Sequence, residues 1–386
     1  MRLLTSLFLS LFIFQSKAQE PEAVIPFAIK NGHMYIDLQI NQSEPLHFVF
    51  DTGAAANLIS DKAAASLNIE AAGSRSVQGA SGSTTIKSAK VDEMNIQGVT
   101  FKNSNFLVMN IDHLSDEDHP LSGIIGAVVL NRFVVEIDYE KSEIKLFDRK
   151  GFEAPEGWTK QSFSLRPFGV PVISATITLP SGETLTGPYL VDTGAATTIK
   201  FNTPFVNKNK LIQKLGRHYA YTSRALSNKA TDEVSKLPSY ELFGQTFESF
   251  PVRLSQVDKG VSSYEQVDGI LGLDLLKRFN TIYDYYQQAM YVKPNSLFDE
   301  TFRLNHDGME IEKGQGVFTV KKVHSGSASD MAGIQQGDQI ISLDGKSAFS
   351  RPEFHLYIQM AKKSVTVKLK REGKELKVEL KPKAML

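Results

Sequence analysis

The chain has 386 residues, of which 43 are acidic and 43 basic, so it carries no net charge at neutral pH. That length is too great for one ordinary hydrophobic core and predicts two or three domains, while the charge balance gives no field that would draw nucleic acid or an anionic membrane to the surface. A hydrophobic share of 41% and a charged share of 22% are ordinary for a globular protein, and with no cysteine in the chain, disulfides, thiol chemistry and a lipid-modified cysteine are excluded.

The first residues are not read as fold. Residues 1–18, MRLLTSLFLSLFIFQSKA, start positive at Arg2, run apolar from Leu3 to Phe14, and place the small residues Ser16 and Ala18 before a cleavage site. This is the pattern of a secretory signal peptide, and its apolar core is too short to span a bilayer comfortably. An exported protein, periplasmic or secreted, is expected, with no stable membrane span after signal removal. An exported fold without disulfides must rely on its core alone.

Residues 22–150 predict a first unit of strands and turns. MYIDLQI, HFVFD, NFLVMNI and VVEIDYEKSEIKLF are rich in β-branched and aromatic residues, with turn residues between them. ISDKAAASLNIE predicts a short helix capped by Ser60 or Asp61, and AVVLNRF another. A second unit, residues 159–295, repeats this order. FVFDTGAAANLIS at 48–60 returns as YLVDTGAATTIKF at 189–201, and GIIGAVVLNRFVVEIDY at 123–139 returns as GILGLDLLKRFNTIYDY at 269–285. Gly123, Gly126, Arg132, Phe133, Asp138 and Tyr139 match Gly269, Gly272, Arg278, Phe279, Asp284 and Tyr285. A lone Asp-Thr-Gly is ordinary turn chemistry. Two copies, each ending an apolar strand and each followed by two apolar residues and a glycine, form a constellation.

On these residues the chain resembles the aspartic peptidases, in particular the retroviral (retropepsin-like) type with both halves on one chain. Their pattern is Asp-Thr-Gly-Ala, a glycine-bearing flap hairpin, then two apolar residues and a glycine. The resemblance covers most of residues 22–295. It implies a mainly β, bilobal pair of β-barrels with pseudo-twofold symmetry, an N-terminal lobe at 22–150 and a C-terminal lobe at 159–295, in which Asp51 and Asp192 meet as the catalytic residues.

Peptide hydrolysis needs an activated water and a proton for the leaving nitrogen, and two carboxyl groups that share one proton supply both. At ~3 Å and an effective dielectric near 20, two ionised carboxylates repel by about 5 kcal/mol, so such a pair titrates as a unit. No acyl-enzyme, metal or other cofactor is called for. Gly53 and Gly194 let backbone N–H groups approach the acids, and the resemblance implies that Thr52 and Thr193 bond across the axis. Ala54 and Ala195 stand where the pepsin-like branch has Ser or Thr, so a hydroxyl donor to each carboxylate is missing and a mildly acidic to near-neutral working range is expected. Ile125 and Ile270, with Gly126 and Gly272, are expected to pack behind the two loops.

SVQGASGSTTIKS at 76–88 reads as the substrate flap, with Gly79, Ala80, Ser81 and Gly82 at a mobile hairpin tip. The matching stretch of the second unit, YAYTSRALSNKATDEVSK, is charged and has no glycine, so one flap over one cleft is expected.

After NSLFDE, which reads as a junction, the repeat stops. Residues 302–382 resemble a PDZ domain of the bacterial type, an α+β fold, on Gly308, Met309, Glu310 and Ile311, on 317–323, and on Ser327-Ala328, Ala332-Gly333-Ile334, Gly337-Asp338 and Asp344-Gly345. SRPEFHLYIQMAKK is expected to be the groove helix, with Ser350 as cap and Pro352 in its first turn; SVTVKLK and ELKVELK form a hairpin about REGK. PDZ domains add an extended peptide as a strand and hold its C-terminal carboxylate on backbone amides. The loop 308–311 would do this here, but Asp307 opposes an incoming carboxylate. Internal segments or the chain's own residues are alternative occupants, and an architectural role is the alternative to docking.

No HExxH or histidine cluster suggests zinc. GASGS falls short of the G-x-S-x-G elbow of serine hydrolases, with no base to accompany it, and no glycine-rich phosphate loop follows a strand. The expected function is an exported aspartic endopeptidase, a monomer that cuts polypeptide in the inter-lobe cleft, with the PDZ domain for docking a peptide C-terminus or for regulation. A non-catalytic peptide-binding or chaperone-like module on the same fold is the alternative.

Overall fold

The computed structural model describes the chain outside residues 1–18, 80–81, 116–119, 168, 225–228, 315 and 348. The signal segment and two of the flap-tip residues, Ala80 and Ser81, therefore lie outside the described residues.

Strand Val172–Thr178 shows how the lobes are made: Ile173, Ala175 and Ile177 are buried and their neighbours face outward. Side chains of period two put one apolar row inside a barrel. The strands that lead into the two aspartates differ. Phe48, Val49 and Phe50, like Tyr189, Leu190 and Val191, are buried without alternation, as befits central strands covered on both faces.

Each unit closes into a six-stranded barrel. In the first, His33–Ile40 pairs with Leu46–Phe50, then come Gly123–Ile125, Asn57–Ser60, Val99–Met109 and Gly82–Ile96, which returns to the first strand through Gln39 opposite Asn95. In the second the order is Val172–Thr178, Thr184–Asp192, Gly269–Gly272, Ile199–Phe201, Gln245–Ser255 and Lys229–Leu242, closed by Ile177 opposite Tyr240. The predicted helices form at Asp61–Ser66, where the Ser60 side chain accepts from the Ala63 amide, and at Ala127–Leu130.

A third sheet joins the units. Ala23–Pro26, Glu143–Phe147 and Val134–Asp138 of the first lie beside Phe279–Asp284, Ala289–Pro294 and Thr159–Ser162 of the second. At its centre Val135, Glu136 and Ile137 face Tyr283, Ile282 and Thr281. Glu136 thus meets its own counterpart in the repeat, so the pseudo-twofold axis passes between this pair. One apolar core runs through both lobes, and the PDZ domain has a separate one around Val320, Leu343, Phe354 and Val367.

The C-terminal sheet runs Met309–Gly314, Val317–Val323, Gln339–Leu343, Val365–Arg371 and Lys374–Leu380. Its helix Arg351–Met360 starts with a full capping box, in which the Ser350 hydroxyl and the Glu353 carboxylate exchange bonds with each other's amides. Arg278 anchors this domain to the second lobe. The guanidinium stands 3.8 Å from the centre of the Phe302 ring and donates to the carbonyls of Leu297 and Phe298 at 3.1 and 2.7 Å. Its repeat partner Arg132 makes the same kind of contacts within the first lobe, donating to the Thr100 carbonyl at 2.6 Å and lying over Phe101 and Phe133. Phe302 in turn packs 5.2 Å from Phe250. Phe302→Ala is expected to lower stability by about 2 kcal/mol, below the ~3–5 kcal/mol of a fully buried phenylalanine, and to expose the linker to limited proteolysis. Urea unfolding and digestion time courses measure both; an unchanged midpoint and cleavage rate would show that the ring is no anchor.

Candidate active site

Each Asp-Thr-Gly loop leaves its strand at the point where a parallel neighbour ends. Phe50 lies opposite Ile125, and Asp192 opposite Gly272. The glycines are required by space: a Cβ on Gly126 would overlap the Asp51 carbonyl, and one on Gly272 the carbonyls of Thr197 and Ala195. Ile125 is fully buried behind the first loop and Ile270 nearly so behind the second.

The two loops grip each other. The Thr52 amide donates to the Thr193 hydroxyl and the Thr193 amide to the Thr52 hydroxyl, both at 3.0 Å. Each hydroxyl then donates onward, Thr52 to the Val191 carbonyl at 2.9 Å and Thr193 to the Phe50 carbonyl at 3.1 Å. Both threonines are fully buried. The geometry expected from the resemblance is thus present, with all four bonds crossing between units.

The grip sets the acids side by side. The Gly53 amide donates to Asp51 Oδ1 at 2.7 Å and the Gly194 amide to Asp192 Oδ1 at 2.8 Å. A Cβ on Gly53 would strike the Asp192 carboxyl, and one on Gly194 the Asp51 carboxyl. The two carboxyls stand side by side, and both are pushed above the ordinary carboxylate range, chiefly by burial. For Asp192 the charge of Asp51 adds to the push, while the Gly194 amide opposes it. Ala54 and Ala195 bring no side-chain donor; their amides donate to the backbone carbonyls of Asp51 and Asp192 at 3.2 and 3.3 Å.

Around this centre the two units differ. Gly79 and Gly82 face each other in a hairpin ladder, as expected of the flap. The second unit also builds a hairpin at the matching place, His218–Arg224 against Lys229–Leu242, where its sequence signals no flap. The PDZ domain lies against its outer strand: the Tyr219 ring stands edge-on to His324 at 5.3 Å. Arg253 lies over Tyr221 and donates to the Ala196 carbonyl at 3.0 Å. Arg253 carries no sequence signal, because it acts through a fold contact between strands.

In the PDZ domain, Gly308 directly precedes the edge strand Met309–Gly314, which Met309, Glu310 and Ile311 open beside the groove helix. Asp307 is fully buried; one oxygen accepts from the Met309 amide at 2.8 Å and the other lies 2.7 Å from His355 Nδ1. The last residues of the chain run alongside, with the Lys383 and Met385 amides donating to the carbonyls of His306 and Asn305, both at 2.9 Å. Among the described residues no group of acidic and histidine side chains is arranged to hold a metal ion, and no helix is long and apolar enough to cross a membrane.

Residues 36–129 match the family model described as aspartyl protease, and residues 302–381 the one described as PDZ domain. Among the solved structures similar to the chain is the aspartic proteinase from Irpex lacteus, at 14% identity and a TM-score of 0.47, over 72% of this chain and 99% of that one. No curated protein matches the chain in sequence. The chain therefore combines an aspartyl-protease segment, set in a bilobal aspartic-peptidase fold, with a C-terminal PDZ domain.

Thr193→Val keeps the shape of the grip but leaves the Thr52 amide and the Phe50 carbonyl buried without partners. It is expected to cost about 2–4 kcal/mol of stability, and Thr52→Val about the same by symmetry. Denaturant midpoints of the two variants measure this; a loss in only one would show that the grip is not shared equally.

Proposed function

We propose that the protein is an exported aspartic endopeptidase in which Asp51 and Asp192 activate one water between two lobes. The observation that carries this reading is the meeting of two buried carboxyl groups from different halves of a repeat, each packed on the glycine of the other's loop. Two charges held that close repel by several kcal/mol, which favours one shared proton between them.

The two acids share the work as a unit. The charged member takes a proton from the water as it attacks the scissile carbonyl, and the protonated member donates to the carbonyl oxygen. As the C–N bond of the resulting diol breaks, the proton taken from water passes to the leaving nitrogen and a diol hydroxyl returns a proton to the acid that gave one. The water attacks directly, so no covalent intermediate forms. The extended substrate lies in the inter-lobe cleft beneath the glycine-tipped hairpin. Thr52, Gly53, Ala54, Thr193, Gly194 and Ala195 hold the acids without touching the scissile bond.

Export rests on the pattern of residues 1–18, and one chain supplies both halves of the site, so the active form is a monomer. The PDZ domain docks or regulates. The Asp307 carboxylate already accepts the Met309 amide, which disfavours a peptide C-terminus there and favours internal segments.

Asp51→Asn and Asp192→Asn are each expected to reduce hydrolysis of an unfolded protein by roughly a thousandfold or more. Cleavage that persists in both would overturn the catalytic reading, and no cleavage by the unaltered chain between roughly pH 3 and 8 would leave a peptide-binding module. The raised carboxyls also set the pH response. The singly protonated pair survives above the ordinary carboxylate range, so the activity maximum is expected in the mildly acidic to near-neutral region; a maximum below about pH 3 contradicts this. Stability has the matching sign. The folded pair binds more protons than the unfolded chain once the pH exceeds the ordinary value of 3.8, so folding stability drops as pH rises from there through the raised folded values. Asp192→Asn removes that loss and is expected to be more stable than the parent at pH 7 in thermal unfolding.

A further inference from the structure

The second Asp-Thr-Gly loop is one residue longer than the first, and the extra residue changes which side chains meet beyond it. The Ser60 amide donates to the Ser122 carbonyl, directly before Gly123; in the second lobe the Asn202 amide donates to the Asp268 carbonyl, directly before Gly269. Ser60 therefore corresponds to Asn202, and Lys200, not Ile199, takes the place of Leu58. The ladders agree. Leu58 lies opposite Ile124 on one side and Leu107 on the other, whereas Lys200 lies opposite Ile270 and Arg253. One strand further out, Lys87 faces Val108 and Glu233 faces Leu254, which puts Asp232 in the place of Ile86. Leu58, Ile86 and Leu107 of the first lobe are thus exchanged together for Lys200, Asp232 and Arg253.

The three charges are not equally engaged. Lys200 and Asp232 are buried and their charged ends stand 3.0 Å apart, so the two compensate each other. Arg253 is half-buried, and among the described residues no ion pair engages it. Its hydrogen bond to the Ala196 carbonyl, at 3.0 Å, uses one of the five N–H donors of a guanidinium. The Tyr221 ring lies 4.6 Å from the guanidinium carbon. Ala196 belongs to the loop of Asp192, and Tyr221 to the outer strand of the hairpin that matches the flap. Val252 and Leu254, on either side of Arg253, are buried in the core. Arg253 is therefore on the other face of its strand, between the acid-bearing loop and the hairpin, where an extended chain in the inter-lobe cleft passes.

We propose that Arg253 is a specificity-determining residue that takes an acidic side chain, Asp or Glu, of the polypeptide substrate on one side of the scissile bond. The inference rests on the reading of the inter-lobe cleft as the site of peptide hydrolysis. A guanidinium offers paired N–H groups that match the two oxygens of a carboxylate. The Ala196 carbonyl and the Tyr221 ring already hold this one in place, so little side-chain freedom is lost on binding. The Lys200–Asp232 pair is neutral as a unit, which leaves the positive charge of Arg253 for the substrate. At the matching place in the first lobe Leu107 offers no charge, so the acidic preference falls on one side only.

The test uses the full chain and an apolar host peptide blocked at both ends, with a single Glu placed at each position in turn and a Gln counterpart for each. At one position the Glu peptide is expected to be favoured in kcat/KM by roughly tenfold over its Gln counterpart. Arg253→Gln is expected to bring that ratio close to one, and Arg253→Lys, which keeps the charge without the planar fork, to leave part of it. A general loss from disturbing the loop cancels in the ratio, because both peptides suffer it alike. A ratio near one at every position, or one that Arg253→Gln leaves unchanged, overturns the proposal. A preference that appears only when the peptide ends in a free carboxylate assigns the guanidinium to a chain terminus and also overturns it. Binding gives the second arm, read on Asp192→Asn with labelled peptides that need not be cut. The favoured Glu peptide is expected to bind more tightly than its Gln counterpart, and equally once Arg253→Gln is added. Absent hydrolysis with this binding preference intact counts against the catalytic reading alone, whereas equal binding of the two peptides counts against Arg253.

Discussion

Two buried threonines, each donating its amide to the hydroxyl of the other, fix the relation between the halves of this protein. Everything at the candidate site follows from that exchange. It brings two acids from different lobes side by side, each packed on the glycine of the other's loop, where two full charges would repel strongly. The cost of burying the pair is borne by the rest of the fold. The Gly53 and Gly194 amides each donate to an acid, Gly126 and Gly272 leave no side chain behind the loops, and a six-stranded sheet drawn equally from both units holds the lobes in register around the axis. A grip of four hydrogen bonds alone would be a weak hinge. With Glu136 locked opposite Ile282 at the sheet centre, it becomes the tip of a continuous core.

Much of this was legible in the amino-acid sequence because the chain states it twice. The repeated Asp-Thr-Gly-Ala-Ala and Gly-apolar-apolar-Gly stretches locate both loops and their backing strands, since glycine is demanded there by close approach and the flanking runs are apolar on both faces. The cap at Ser60 and the capping box at Ser350 were likewise readable, because these signals are local. The hairpin Lys229–Leu242 was not, because its tip lacks the glycine that announces a flap and its form is set by barrel closure onto Val172–Thr178. The turn at Gly32 was invisible for the same kind of reason. Nothing beside it in the sequence says that a turn of one lobe comes against a loop of the other, where a Cβ on Gly32 would lie 2.6 Å from Ala196 Cβ.

Departures from the repeat are where the two lobes acquire different tasks. Arg132 and Arg278 occupy matched positions and both hold carbonyls and rings, but the first stays within its lobe while the second reaches the linker and Phe302. The first hairpin ends in glycines; the outer strand of the second lies against the PDZ domain through Tyr219 and His324. A symmetric dimer of half-length chains cannot make such choices, because any substitution falls on both halves at once. Joining the halves in one chain removes that restriction.

The PDZ domain is therefore placed where the symmetry is most broken. It rests on the second lobe at Phe302 and Tyr219. Its own carboxylate-accepting loop is satisfied internally, by Asp307 on the Met309 amide with His355 on the other oxygen, and the chain's final residues cover the segment before it. A domain filled in this way has little need of a ligand to hold its shape. What a ligand in the groove can change is the position of the helix Arg351–Met360, because that helix forms one wall of the groove and also holds the linker, with Gln359 donating to the Phe302 carbonyl at 3.0 Å. Binding energy gained in the groove is then convertible into a shift at the second lobe only to the extent that the two positions of the helix differ in their contacts with that linker.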